Sequence, residues 1–149
     1  MILVVGATGQ LGTAVVRRLA AWKQLVRAFV RPTSNHQHLR GPGIELAFGD
    51  LRDAASVDKA SEGVTTVIAT ANTVVPRANY SFEQVEGLGY QNLLNSSRRN
   101  HVKQLIFMSV PVTPYDDKVL TFRYKRLIEQ TDSEQRYSVH DSPRFVVYG

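Results

Sequence analysis

Five short apolar runs punctuate the chain, and between them lie longer stretches in which apolar residues return every three or four positions. The runs are ILVV directly after Met1, QLVRAFV ending at Val30, IELAF at 44–48, VTTVIAT at 64–70 and KQLIFMSV at 103–110. Their length and β-branched content predict strands, and the near-continuous apolar character predicts burial on both faces. The intervening stretches predict amphipathic helices. The first spans about 10–22, with Leu11, Val15, Leu19 and Trp22 toward the core. A short one, AASVDKAS, is capped by Asp53. A polar loop through Pro76 and Tyr80 leads to a long one at 81–100. Ser81 and Gln84 open it as a capping box, and Val85, Leu88, Leu93 and Leu94 form its apolar side. The last begins near Asp116 or Asp117 and carries Leu120, Tyr124, Leu127 and Ile128.

Strands alternating with helices imply a parallel sheet joined by right-handed crossovers, with helices on both faces. The expected fold is therefore a Rossmann-like, doubly wound α/β/α sandwich of about five to six strands. No internal repeat, low-complexity tract or linker divides the 149 residues, so one domain is expected.

The first strand runs straight into a glycine turn, GATGQLG, in which Gly6, Gly9 and Gly12 stand three apart and a helix follows. Strand, glycine turn and helix in that order form the opening of a dinucleotide-binding βαβ unit. Gly6 lets the chain leave the strand through angles a side chain would obstruct. Gly9 leaves room for a pyrophosphate to approach the main chain, and Gly12 lets the helix pack tightly on the strand. The free N–H groups at the start of that helix, with its positive end, then face the phosphates.

The end of the second strand sets the expected choice of cofactor. An acid about 20 residues beyond the glycine motif accepts ribose hydroxyls in NAD sites, whereas an arginine there accommodates the 2′-phosphate of NADP. This chain has Arg31, Pro32, Thr33 and Ser34 at that point and no carboxylate. NADP(H) is therefore favoured over NAD(H), with Ser34 and Arg40 as possible additional donors. Asp50 and Leu51 follow the third strand, and Ala71, Asn72 and Thr73 follow the fourth, at the strand ends where open α/β sheets bind ligands. His36 and His38 lack a neighbouring acid or cysteine and read as solvated loop residues rather than metal ligands.

Charge and composition narrow the remaining classes. Six basic residues and no acid precede Glu45, whereas twelve basic and thirteen acidic residues make up the rest. The positive field thus lies on the nucleotide end and favours an anionic ligand. Without a recognised DNA or RNA module or an aromatic-interleaved basic patch, direct nucleic-acid binding is not expected. The absence of cysteine excludes disulfides and thiolate chemistry. No apolar run reaches the roughly 20 residues of a membrane span, and the N-terminal pattern is not that of a signal peptide. A cytoplasmic protein is expected.

With those positions placed, the chain resembles the atypical short-chain dehydrogenase/reductase superfamily, most closely its NmrA-like branch. The residues that carry the resemblance are Val5-Gly6-Ala7-Thr8-Gly9-Gln10-Leu11-Gly12, Val30-Arg31, Gly49-Asp50-Leu51, Glu86-Gly87 through Asn92-Leu93-Leu94, and Ile106-Phe107-Met108-Ser109. It covers about residues 1–129. It implies NADP(H) lying across Gly6, Thr8, Gly9, Gln10, Leu11 and Gly12, the 2′-phosphate at Arg31, adenine near Asp50 and Leu51, and ribose near Thr70 and Ala71. An oxidoreductase acting on a small organic substrate follows from it.

Two departures qualify that reading. Many relatives use a tyrosine and a lysine four residues later on one helix, the lysine lowering the pKa of the tyrosine. Lys125 matches the lysine, but Thr121 stands in the tyrosine position. Lys125 is the candidate catalytic residue; the alternative is a surface ion pair with Glu129 one turn on. Ser109 is a weaker candidate, as a hydrogen-bond partner for substrate. The second departure is length. Tyr137-Ser138-Val139-His140 faintly resembles the next strand, after which the sequence diverges, and most of the relatives' substrate-binding half is expected to be absent from these 149 residues. The alternatives to a reductase are a non-catalytic NADP(H)-sensing module that acts through a protein partner and a truncated inactive relative.

Overall fold

The computed structural model describes residues 1–73, 80–116, 118–135 and 144–148. Six parallel strands, β1 (Ile2–Val5), β2 (Val26–Val30), β3 (Ile44–Phe48), β4 (Thr66–Ala69), β5 (Gln104–Met108) and β6 (Arg144–Tyr148), form one sheet in the order β3-β2-β1-β4-β5-β6. The helices are α1 (Gln10–Ala21), α2 (Ala54–Ser61), α3 (Tyr90–Arg99) and α4 (Leu120–Gln135). This is the doubly wound arrangement expected from the alternation of elements. Its strand order reverses between β1 and β4, which opens a crevice at their carboxyl ends.

Alternation along β1 supplies both cores. Val4 faces a cluster with Val16 of α1, Val26, Ala28, Val30 and Leu39. Leu3 and Val5 face the larger cluster, which holds Val57 and Ala60 of α2, Leu93 and Leu94 of α3, and Ile128 of α4. Every one of these β1 side chains is almost wholly buried, which is why the strand reads as an unbroken apolar run. Asp53 caps α2 as expected, its carboxylate accepting from Ala55 N–H at 3.1 Å.

Several expectations are corrected. On α1, Val15 and Leu19 pack against the core as expected beside the buried Gly12 and Val16, but Leu11 is 47% and Trp22 60% exposed. Leu11 lines the crevice, and Trp22 is the C-cap residue just past α1, where the Arg18 guanidinium lies 4.9 Å from its ring centroid. The stretch before α3 is a π-helical turn, Glu83–Gly89, so the helical face changes phase there. Leu88 points out to solvent, whereas Glu86 and Gly89 are buried. The Ser81–Gln84 capping box does form, with Gln84 N–H donating to Ser81 Oγ and Ser81 N–H to Gln84 Oε1.

Helix α4 starts at Leu120, not near Asp116. The Asp116 carboxylate is taken up by Thr113 N–H and Oγ1 and by Arg126, so it closes a turn ahead of the helix. Leu120 and Leu127 are exposed, and Ile128 and Lys125 are buried. The sixth strand is RFVVY at Arg144–Tyr148, parallel to β5. The strand expected at 137–140, Pro76 and Asp117 lie outside the described residues. Among the described residues no helix is long and apolar enough to cross a membrane.

The Asp53 cap yields a stability prediction. Asp53→Ala should lower unfolding stability by about 1 kcal/mol, read as a shift in the urea midpoint at unchanged slope; an unshifted midpoint would show that the cap carries no weight.

Candidate functional site

The turn after β1 is held by contacts that no side chain could enter. Gly6 has φ +82°, and a Cβ built on it would stand 2.6 Å from Ala71 N. A Cβ on Gly12 would overlap the Gly6 carbonyl oxygen. Thr70 secures the same junction, its N–H and Oγ1 both donating to Val5 O, at 2.9 and 3.0 Å. Thr13 Oγ1 donates to Ala7 O at 3.0 Å. The ends of β1 and β4 and the start of α1 therefore meet backbone to backbone.

Gly9 differs from the other two. Its φ is an ordinary −72°, and its Cβ would meet only Gly6 O, at 3.3 Å. The position opens on the crevice. It is also the N-cap of α1, with no side-chain cap and no acid in the first turn, so the helix presents its main-chain amides and positive end uncovered by its own side chains.

The crevice is a cleft of about 1230 Å³. Apart from Arg40, the residues proposed from the sequence line it: Gly6, Thr8, Gly9, Gln10, Leu11 and Gly12 from the turn and α1, Arg31 and Ser34 after β2, Asp50 and Leu51 after β3, Thr70 and Ala71 after β4, and Lys125 from α4. Ser109 lies there too, at the end of β5. Segments that are remote in sequence converge because parallel strands all deliver their carboxyl ends to one edge.

At one end of the cleft lies a charged aromatic cluster. Asp50 binds Arg52 with both carboxylate oxygens, each at 2.8 Å, and its Oδ2 also accepts from Tyr80 OH at 3.1 Å. The Arg52 hydrogen bonds hold the Asp50 carboxyl down at about 2, against the opposing effect of burial. The guanidinium carbons of Arg31 and Arg52 lie 4.7 and 4.0 Å from the Tyr80 ring centroid. Arg52 reaches Asp50 two residues away, a local pair the sequence reading passed over, whereas Tyr80 meets Asp50, Arg31 and Arg52 only through the fold.

The positive charge before Glu45 is spread differently from the sequence expectation. Of those six residues, Arg31 alone is among the described residues lining the cleft. Arg27 is committed to Glu45 and to the carbonyls of Ala60 and Glu62. Arg40 lines a side pocket with Ser34 and His36. The Ser34 hydroxyl donates to Arg31 O at 2.7 Å, which uses its proton locally. His36 Nδ1 lies 2.7 Å from Ser34 O and His38 Nε2 3.1 Å from Thr13 Oγ1. Among the described residues no group of acids and histidines is arranged to hold a metal ion.

At the other end, Lys125 is 5% exposed and its Nζ donates to Met108 O at 2.6 Å. Nζ lies 4.8 Å from the Phe107 ring centroid. Burial pushes the ammonium down from its ordinary pKa, while Glu86 and Glu129 oppose that shift. The surface pairing expected with Glu129 is not what forms: Glu129 takes Arg126 at 2.7 Å and the hydroxyl of Ser109. Tyr90 does not stand in for the absent tyrosine acid. It is 1% exposed, its hydroxyl donates to Ala71 O at 2.7 Å, and burial pushes its phenol far above the ordinary range.

Known proteins match this chain in sequence and in fold. A family model described as NAD(P)H-binding matches residues 6–136. Sterol demethylase protein B of Methylococcus capsulatus is 40% identical over 109 residues, which are 72% of this chain and 33% of that protein. Photosystem II assembly factor Ycf39 of Cyanophora paradoxa is 30% identical over 129 residues, 87% of this chain and 40% of the relative. The chain thus spans a third to two fifths of the length of these relatives. Among solved structures, UDP-glucose 4-epimerase of Thermus thermophilus in complex with NAD superposes with a TM-score of 0.79 at 24% identity, over 98% of this chain and 53% of the epimerase. An Agrobacterium tumefaciens short-chain dehydrogenase/reductase superfamily protein with bound NAD gives 0.77 at 25% identity, over 99% and 48%. With the glycine turn at the switch point of a Rossmann-type sheet and the family model matched across most of its length, this chain belongs to the NAD(P)H-binding family.

Proposed function

We propose that the chain is an NADPH-dependent oxidoreductase, similar to the NmrA-like atypical short-chain reductases, that acts on a small organic substrate. The observation that carries this reading is one continuous cleft with the glycine turn at its centre, Arg31 at one end and buried Lys125 at the other. The residues present fit the cofactor. A Cβ at Gly6 or Gly12 would destroy the cradle, and Gly9 with the uncapped start of α1 offers amides to a pyrophosphate. Asp50 and Leu51 flank the adenine in this reading, Thr70 and Ala71 the ribose, and Thr8, Gln10 and Leu11 line the phosphate path.

Arg31 would bind the 2′-phosphate, and no carboxylate follows β2 to favour NAD. Asp50, the acid nearest that end, is already saturated by Arg52 and Tyr80, so its charge is compensated. When bound, the nicotinamide supplies hydride chemistry. Lys125 supplies a protein donor and positive charge beside the strand end that carries Met108 and Ser109. It acts there without a tyrosine one turn before it, because that position is Thr121. The same substitution favours a second reading, in which the chain senses NADP(H) and acts through a protein partner.

Two substitutions test the assignment. Arg31→Asp should weaken NADPH binding roughly 10- to 100-fold, the worth of a charge-assisted contact of about 1.5–3 kcal/mol, and change NADH binding much less in the same fluorescence titration. Equal loss for the two would remove the 2′-phosphate from Arg31. Lys125→Ala should keep the far-ultraviolet circular dichroism spectrum and lower NADPH oxidation by small organic acceptors at least about 100-fold. Unchanged turnover would take Lys125 out of the chemistry, and a wild-type chain that binds NADPH but turns over no acceptor would favour the sensing module.

A further inference from the structure

The π-helical turn Glu83–Gly89 lies beside the cleft and carries a buried acid that the reading above leaves unused. Glu86 is 1% exposed, and its Oε1 accepts from Thr73 N–H at 2.9 Å. Its Oε2 is buried with no hydrogen-bond partner. Burial pushes the Glu86 carboxyl above its ordinary pKa, and the Thr73 N–H bond and the charge of Lys125, acting through space, oppose that shift and favour the carboxylate. An apolar residue would serve packing better at such a position, since a buried carboxylate with an unsatisfied oxygen is costly.

The turn is built to put that acid there. Its winding buries both Glu86 and Gly89 and turns Leu88 outward. Gly87 lets α4 approach, since a Cβ there would lie 3.2 Å from the Tyr124 ring, one residue before Lys125. Gly89 does the same for Leu51, where a Cβ would come within 2.8 Å. One residue further, Tyr90 OH donates to Ala71 O, so the main chain at 71–73 is held at both ends from this single stretch.

We propose that Glu86 is a positioning residue for Lys125: it fixes the cleft wall at 71–73 through Thr73 and sets a buried carboxylate on the turn that packs against α4 beside Lys125, where its charge favours the ammonium form. The inference rests on the role proposed for Lys125. A lysine this deeply buried loses its proton readily unless a counter-charge stands near it. The other charged or titratable groups around the pair are accounted for. Glu129 also favours the ammonium but is held by Arg126 and Ser109; Arg126 is shared with Asp116; Tyr90 is bonded to Ala71 and feels the charge of Glu86; and Tyr124 interacts with Glu83, Arg123 and Glu86.

The test follows the Cε signal of Lys125 by NMR in the full chain with 13C-labelled lysine, assigned by its loss in Lys125→Met, as pH is varied without cofactor. Glu86→Gln keeps an acceptor for Thr73 N–H and removes the charge. It should lower the Lys125 midpoint by roughly one pH unit, whereas Glu86→Asp, which keeps the charge, should hold it near wild type. A folded Glu86→Gln chain that titrates as wild type overturns the proposal. Should that variant not fold, the wild-type Lys125 signal must show a second inflection as Glu86 titrates; a single inflection overturns the proposal equally. The midpoints are read without ligand, so a wild-type chain that fails to bind NADPH would refute the cofactor reading alone.

Discussion

Three main-chain segments meet at the carboxyl end of β1 with no side chain between them, and the rest of the structure depends on that contact. Gly6 abuts the backbone of Thr70 and Ala71, and Gly12 abuts the Gly6 carbonyl. Because β1 and β4 are the central neighbours at which strand order reverses, the contact also sets where the crevice opens. A methyl group at either glycine would push β4 or α1 away, and with it the floor and the phosphate-facing end of the cleft. The same geometry that closes the core thus shapes the site.

The two ends of the cleft solve different electrostatic problems. Around Tyr80, charges of both signs are paired or stacked at the surface, where solvent moderates each contribution. Around Lys125, the ammonium is buried against Met108 O and the Phe107 ring, and its carboxylate neighbours act on it from α4 and from the π-helical turn. A buried cation of this kind is expensive for stability alone. Its presence at the end of β5, facing the shared cleft, is what distinguishes this end of the site from a packing core.

The sequence made the sheet and the glycine turn legible because both are written locally, in short apolar runs and in glycine spacing. It misplaced side-chain faces wherever local geometry broke the ideal helix. Leu88 falls on an apolar stripe only if the helix winds regularly from Ser81; the π turn rotates Glu86 inward instead. Trp22 fits the stripe of α1 but stands where the helix ends, beyond the sheet that would cover it. RFVVY at Arg144–Tyr148 was masked by the divergent sequence preceding it, although its composition suits a strand. Tyr80 and Glu86 acquire their roles from contacts across the fold, with Asp50 and Arg31 and with Thr73 and Lys125, and nothing in their immediate neighbourhood announces them; Arg52 pairs with Asp50 two residues away.

The cleft at the switch point is proposed to take a phosphorylated nicotinamide dinucleotide. Calorimetric titration of the unmodified chain with NADPH and, in parallel, NADH tests it most directly. The account predicts saturable binding of NADPH, with NADH weaker. No heat of binding from either, in a chain shown by circular dichroism to be folded, would contradict it.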